Sequence, residues 1–252
     1  MLTDVHSGDA SGVVPSSFRI ARQLLDRLED VATGAILPHS FHAYIPDERT
    51  LQAKVSGRVL QDSLLSRFPY AGRTEAMSTD TTQVVLNRTW KPFLAVTGAA
   101  GLPPIENAGN VLRPFTSLKL SLRLPPTVDA TTALAELGRL LTADPPYAAD
   151  VTFAPDTPGD GWNAPALAPW LGTSVERASQ AFFKREACYM GEGGSIPFMG
   201  MLGRSYPEAQ FVITGVLGPN SNAHGPNEFL HVPMAKRLTA AVALVLADHA
   251  AR

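Results

Sequence analysis

The chain holds 21 prolines and 20 glycines among 252 residues, and their clusters fix where helices and strands can run. Proline removes a backbone donor, and both residues punctuate regular structure, so the elements must lie between the clusters. Leu2 to Val5 reads as a strand end or loop ahead of a small-residue turn at 7–12. From Pro15 to Asp30 the residues Phe18, Ala21, Leu24, Leu25 and Leu28 recur on one helical face, and Pro15 with Ser16 suits a first turn, which predicts an amphipathic helix. A second helix is expected over 47–65. The runs 83–86, 93–97 and 117–124 read as strands, and the last alternates Leu118, Leu120, Leu122 and Leu124 with polar or charged neighbours, as a sheet with one covered face requires. A helix at 130–141 and a strand at 148–153 complete an order that fits an α+β sandwich of ferredoxin-like pattern.

The stretch 154–170 contains Pro155, Pro158, Gly159, Gly161, Pro165 and Pro169 and reads as a connector. It is expected to divide a first domain, residues 1–158, from a second segment, residues 159–252. In that segment a helix at 174–186, a glycine-rich turn at 191–194, a strand at 210–217, a polar loop and a helix at 233–250 give the alternating rhythm of an α/β layer. One or two parallel strands cannot cover their own faces and edges, so the expectation is an incomplete α/β segment.

With 45% apolar and 17% charged residues the chain belongs with ordinary globular proteins. A formal net charge of −2 supplies no basic field for nucleic acid or for an anionic membrane surface. The longest nearly unbroken apolar stretch, Leu238 to Ala247, is half of the roughly 20 residues that a membrane helix needs. The first residues lack a charged region followed by an apolar one, and the single cysteine, Cys188, can make no internal disulfide, so a cytoplasmic setting is expected.

There is no P-loop, dinucleotide-binding glycine fingerprint, C-x-x-C or H-E-x-x-H. The polar loop Gly218-Pro-Asn-Ser-Asn-Ala-His224-Gly-Pro-Asn-Glu228 follows the expected strand, which puts His224 where open α/β sheets hold ligands. An imidazole there, with Glu228 four residues on, suits a metal ligand oriented by a carboxylate, although spacing alone favours a surface-loop histidine. In Gly191-Glu192-Gly193-Gly194-Ser195-Ile196-Pro197, successive glycines let main-chain N–H groups approach an anion, with Glu192 able to pair with an ammonium group; a plain glycine turn fits equally well. Ser195 beside His224 would make a serine hydrolase, but Pro197 breaks the G-x-S-x-G elbow. Arg123 projects opposite to the leucines of its strand and can clamp a carboxylate or pair with a cross-strand acid. Asn110, after Gly109, reads as a turn residue and His6 as a solvated terminus.

Taken in order, four blocks resemble the dinuclear zinc peptidases that include carnosinase, cytosolic nonspecific dipeptidase and succinyl-diaminopimelate desuccinylase. They are Asp4-Val5-His6-Ser7-Gly8, Phe115 to Arg123 with Asn110 ahead of it, Glu192-Gly-Gly-Ser-Ile-Pro197, and Ala223-His224-Gly-Pro-Asn-Glu228. The resemblance implies a lid and dimerisation domain followed by the end of the catalytic domain. It implies that His224 ligates one of two zinc or manganese ions, and that His6 and Asn110 reach across a homodimer to stabilise an oxyanion. Arg123 would hold the substrate carboxylate, and Glu192 with the Gly193, Gly194 and Ser195 backbone would bind the amino side and the tetrahedral centre. The implied chemistry is exopeptidase or deacylase attack on an amide by metal-activated water.

The sequence departs from that family at Gly191, where carnosinase-type dipeptidases more often carry arginine. None of His6, His39, His42, His224, His231 and His249 begins an H-x-D, and no Glu-Glu dipeptide occurs. A two-metal site needs several carboxylate and imidazole ligands plus a base. The chain alone is therefore expected to lack hydrolytic activity and to bind metal weakly, with an N-terminal catalytic segment and a peptide or N-acyl amino acid as its partners. A noncatalytic dimerisation module is the alternative.

Overall fold

The computed structural model describes residues 1–192, 197–217 and 221–252, which gather into two compact units. The first unit comprises Met1–Ile45 and Asn87–Trp162; the second comprises Pro46–Leu86, Asn163–Glu192 and Phe198–Arg252. The connector therefore breaks at 162/163 rather than at 158/159, and the segment 46–86 groups with the C-terminal residues instead of with the first domain. Hydrogen bonds explain that grouping. The fully buried Ser56 hydroxyl donates to the Tyr189 carbonyl at 2.6 Å, and the Arg49 guanidinium donates to the Ala164 carbonyl at 2.5 Å.

In the first unit, β1 (Val5–His6) pairs antiparallel with β3 (Val111–Leu112), and β2 (Phe93–Ala100) pairs antiparallel with β4 (Ser117–Arg123), with a bulge between Val96 and Gly98. Helices α1 (Ser17–Leu25) and α5 (Ala130–Thr142) bring Leu24, Ala133, Leu137 and Leu141 into one core with Leu28, Ile36, Phe41 and Leu94. Leu120 and Leu122 of β4 pack on that core, and the expected alternation is seen directly: Leu118, Leu120 and Leu122 are half-buried, whereas Lys119 and Arg123 are exposed. Both helices start on side-chain caps. Ser16 Oγ accepts from the Arg19 N–H at 3.1 Å, and Asp129 Oδ1 accepts from the Thr132 N–H at 2.7 Å. The bonds from Thr132 hold the Asp129 carboxyl below the usual aspartate value.

Two expected strands of this region are absent among the described residues. The run 83–86 lies inside helix α4 (Thr81–Thr89), which begins in the second unit and continues into the first. The Asp80 carboxylate accepts from the N–H groups of Thr82 and Gln83 at 2.8 and 3.1 Å, so an N-cap overrides the β propensity of Val84 and Val85. At 148–153 a 3₁₀ turn (Pro146–Ala148) leads into chain without ladder bonds. Its side chains Val151 and Phe153 still reach the core. Phe153 lies over Gly138 of α5, where a Cβ would come within 2.8 Å of the ring. The unit is thus a mixed helix and sheet structure with two antiparallel pairs.

The second unit is helical. Helix α2 (Asp47–Leu60) stops at Gln61, whose φ is +42°, and α3 (Ser63–Ser66) follows, so the single helix expected over 47–65 is broken. Helices α6 (Pro169–Phe183) and α8 (Val232–Ala250) pack together through Leu171, Ala178 and Ala241. There the Ser174 hydroxyl donates to Asp248 at 2.6 Å and Arg177 pairs with the same carboxylate. Helix α7 (Pro197–Ser205) was not foreseen from the sequence. The run 210–217, expected as a strand, forms no regular element, and Val212, Ile213, Val216 and Leu217 are 47%, 59%, 39% and 43% exposed. No helix among the described residues is long and apolar enough to cross a membrane.

The core makes a direct test. Leu137→Ala should lower the unfolding free energy by about 2–5 kcal/mol, and Ser16→Ala by about 1 kcal/mol, both read from urea denaturation.

Candidate functional site

The candidate residues of the first unit lie at strand ends. His6 closes β1 opposite Val111, and the next residue, Ser7, donates its N–H to the Asn110 carbonyl at 2.9 Å. The β1–β3 ladder therefore brings His6 and Asn110 to the same end. Two residues before His6 and just ahead of β1, Asp4 pairs with Arg113 at 2.7 Å, which ties the two strands at the other side of the ladder. His6 and Asn110 are both exposed. The His6 ring is not loose, however: Nδ1 accepts from the Gly8 N–H at 3.1 Å.

Arg123 ends β4 opposite Phe93 and is exposed, on the face away from the core that the alternation assigned to it. Lys119, on the same polar face, is already used in an ion pair with Asp156. Arg123 stands at the exposed end of a rigid ladder, which suits bidentate binding of a carboxylate.

In the second unit His224 sits in a tight loop. Its φ is +60°, and those of Asn222 and Asn227 are +53° and +59°. Left-handed backbone is tolerated by asparagine and costs a histidine roughly 1–2 kcal/mol. The loop is closed by the Gly225 N–H on the Asn222 carbonyl at 2.9 Å, the Asn222 side-chain amide on the Pro226 carbonyl at 2.6 Å, and the Phe229 N–H on the Ser221 carbonyl at 3.2 Å. A Cβ at position 225 would come within 2.5 Å of the Asn222 amide, so a larger residue would displace that side chain from its bond to the Pro226 carbonyl. Glu228 does meet His224, but at the main chain: its Oε2 accepts the His224 N–H at 3.0 Å. The expected contact was to the second ring nitrogen; the bond seen here is to the main-chain N–H. The imidazole is exposed.

Glu192 is exposed at the end of the chain segment after α6. Gly193, Gly194 and Ser195, and the start of the histidine loop at 218–220, lie outside the described residues. Among the described residues no group of three or more His, Cys, Asp or Glu is arranged to hold a metal ion. The described residues therefore do not by themselves fit a two-metal centre. Sequence reasoning missed two supporting residues: Gly8, which meets the His6 ring, and Gly225, which lets the histidine loop close. A glycine one or two places beyond each histidine was the available signal.

No protein family model matches the chain. It is 26% identical over 152 residues, 58% of its own length and 33% of the relative's, to a cysteinylglycine-S-conjugate dipeptidase of Corynebacterium striatum. Its fold is similar to that of the dipeptidase Dug1p of Saccharomyces cerevisiae, with a TM-score of 0.66 and 18% identity, covering 97% of this chain and 52% of that one. It is likewise similar to human carnosine dipeptidase 1, with a TM-score of 0.64 and 17% identity over 97% and 52% of the two chains. The M20 family metallo-carboxypeptidase Sso-CP2 of Sulfolobus solfataricus gives 0.67 and 16% over 97% and 55%. The chain has the fold of part of these peptidases and spans about half the length of the solved structures it matches. The resemblance carried by the four sequence blocks and these likenesses point to the same group of proteins.

The backbone at His224 can be checked separately from any chemistry. His224→Gly should be more stable than His224→Ala by about 1 kcal/mol, because only alanine keeps the left-handed penalty; thermal denaturation of the two variants reads the difference.

Proposed function

We propose that the chain is the lid domain plus the closing part of the catalytic domain of a metal-dependent exopeptidase, dipeptidase or amide deacylase that hydrolyses a peptide or N-acyl amino acid bond. The observation that carries this reading is the 26% identity over 152 residues to a protein named as a dipeptidase. The order of the four blocks supports it.

In this reading His6 and Asn110, at one end of the β1–β3 ladder, donate to the oxyanion of a tetrahedral intermediate in a neighbouring protomer. Arg123 binds the substrate's free carboxylate. Glu192 with the backbone of Gly193, Gly194 and Ser195 receives the amino side. His224 serves as one metal ligand, and Glu228 acts through the loop, since it bonds the His224 main chain. The complete enzyme would hold two zinc or manganese ions. Their other ligands and the general base come from polypeptide outside these 252 residues, because no H-x-D or Glu-Glu occurs within them.

Two surfaces agree with this reading. Among the described residues β2 and β4 each pair along one edge only, and the other edges would serve a homodimer through the first unit. The exposed Val212, Ile213, Val216 and Leu217 form an apolar run that the remainder of the catalytic domain would cover.

The purified chain should release no amine from dipeptides, and hydrolysis should appear with metal once a polypeptide carrying the H-x-D and Glu-Glu elements is supplied. Two tightly held ions on the chain alone would overturn the incomplete site, and a stable dimer with no rescue would assign a noncatalytic module instead. Analytical ultracentrifugation at micromolar concentration should find a dimer; a monomer removes the lid assignment of the strand edges. In the reconstituted enzyme Arg123→Ala should lower kcat/KM by roughly 10–100-fold for substrates with a free carboxylate, the loss of one charge-assisted contact.

A further inference from the structure

We propose that the main-chain N–H of Gly8 sets the tautomer of His6, so that the neutral ring carries its proton on Nε2 and presents that nitrogen only as a donor. An N–H can only donate, and it lies 3.1 Å from His6 Nδ1, so Nδ1 must offer its lone pair. A neutral imidazole has one ring proton, which this contact leaves on Nε2.

The turn around the contact is fixed from several sides. The β1–β3 register holds His6 opposite Val111, and the Ser7 N–H is held by the Asn110 carbonyl at 2.9 Å. The Ala10 N–H returns to the His6 carbonyl and the Ser11 N–H to the Gly8 carbonyl, both at 3.2 Å, while the Ser11 hydroxyl donates to the Ser7 carbonyl at 2.9 Å. The Gly8 amide is thereby held against the ring instead of meeting it by chance.

Glycine is required at position 8 for space. Its backbone does not occupy the left-handed region, unlike that of Gly12 nearby, so conformational freedom is not the reason. A Cβ built there would lie 2.9 Å from His6 Cε1 and 3.0 Å from Nδ1, which would force the ring away from the amide. One residue therefore supplies both the donor that selects the tautomer and the gap in which the ring sits. Gly8 acts through His6 and is a positioning residue.

The functional meaning rests on the reading of His6 as an oxyanion donor. The other tautomer would turn a lone pair toward developing negative charge, which repels it, whereas Nε2–H stabilises it. The tautomer itself is independent of that reading.

The test uses the chain with ¹⁵N-labelled histidine and long-range ¹H–¹⁵N correlation in mildly alkaline buffer, with His6→Gln assigning the His6 signals by their disappearance. The expected spectrum has an unprotonated-type Nδ1 and a protonated-type Nε2 for His6. A protonated Nδ1, or resonances averaged between the two forms, overturns the proposal. In Gly8→Ala the single-tautomer pattern should be lost while the other histidine signals stay in place; retention of the pattern also overturns it. Should that variant not fold, the unmodified chain still decides. In the reconstituted enzyme Gly8→Ala should lose roughly 10²–10³-fold in kcat, the effect of one misdirected oxyanion donor. An unchanged kcat alongside a changed tautomer would instead remove His6 from the oxyanion site and leave the tautomer assignment standing.

Discussion

The burial of the leucine face of β4 under α1 and α5 is the constraint from which the arrangement of the first unit follows. Side chains alternate strictly along a strand, so a slip of one residue would carry Leu118, Leu120 and Leu122 into solvent and bury Lys119 and Arg123. Burying an unpaired guanidinium costs several kcal/mol, while the apolar faces gain about 25 cal/mol for each Å² removed from water. Both effects select the same register. Arg123 is held outward by the same packing that builds the core, and its position needs no dedicated support.

The β1–β3 ladder works by a different balance. Two residues on each strand give little burial, and Val111 is exposed. The strands are held instead by the Asp4–Arg113 pair and by the turn that follows His6. A short ladder of this kind is stable only as part of the larger unit. Its value lies in geometry: it sets His6 and Asn110 side by side through one main-chain bond between their neighbouring groups.

The elements that were legible in the sequence are those whose large apolar residues repeat at one period. Helix α1 and strand β4 carry such patterns; β4 ends within one residue of expectation, whereas α1 spans 17–25 of the expected 15–30. Where the pattern is short or made of small residues, other forces decide. The run 83–86 has strand propensity, but the Asp80 cap makes it helical. Helix α2 buries Ala53, Ser56 and Gly57, none of which signals a core-facing stripe, so its place beside the C-terminal residues could not be read from hydrophobic spacing. The run 210–217 has the composition of a buried strand yet remains exposed, because a strand needs partners that composition does not reveal. The candidate site followed the same rule. Residue types and order were visible in the four blocks, whereas the contacts that hold them, such as Gly8 on the His6 ring and Glu228 on the His224 amide, run through main-chain atoms, for which the glycine after each histidine was the one signal.

Those two contacts share a logic. In each, a histidine is held through a main-chain N–H: at His6 that of Gly8 meets the ring, and at His224 the residue's own N–H meets the Glu228 carboxylate. At His6 the contact dictates the protonation pattern of the ring. At His224 it holds the backbone, leaving the ring unconstrained by Glu228. A left-handed histidine persists only where the surrounding bonds over-determine it, and the Asn222–Pro226, Gly225–Asn222 and Phe229–Ser221 bonds do so here.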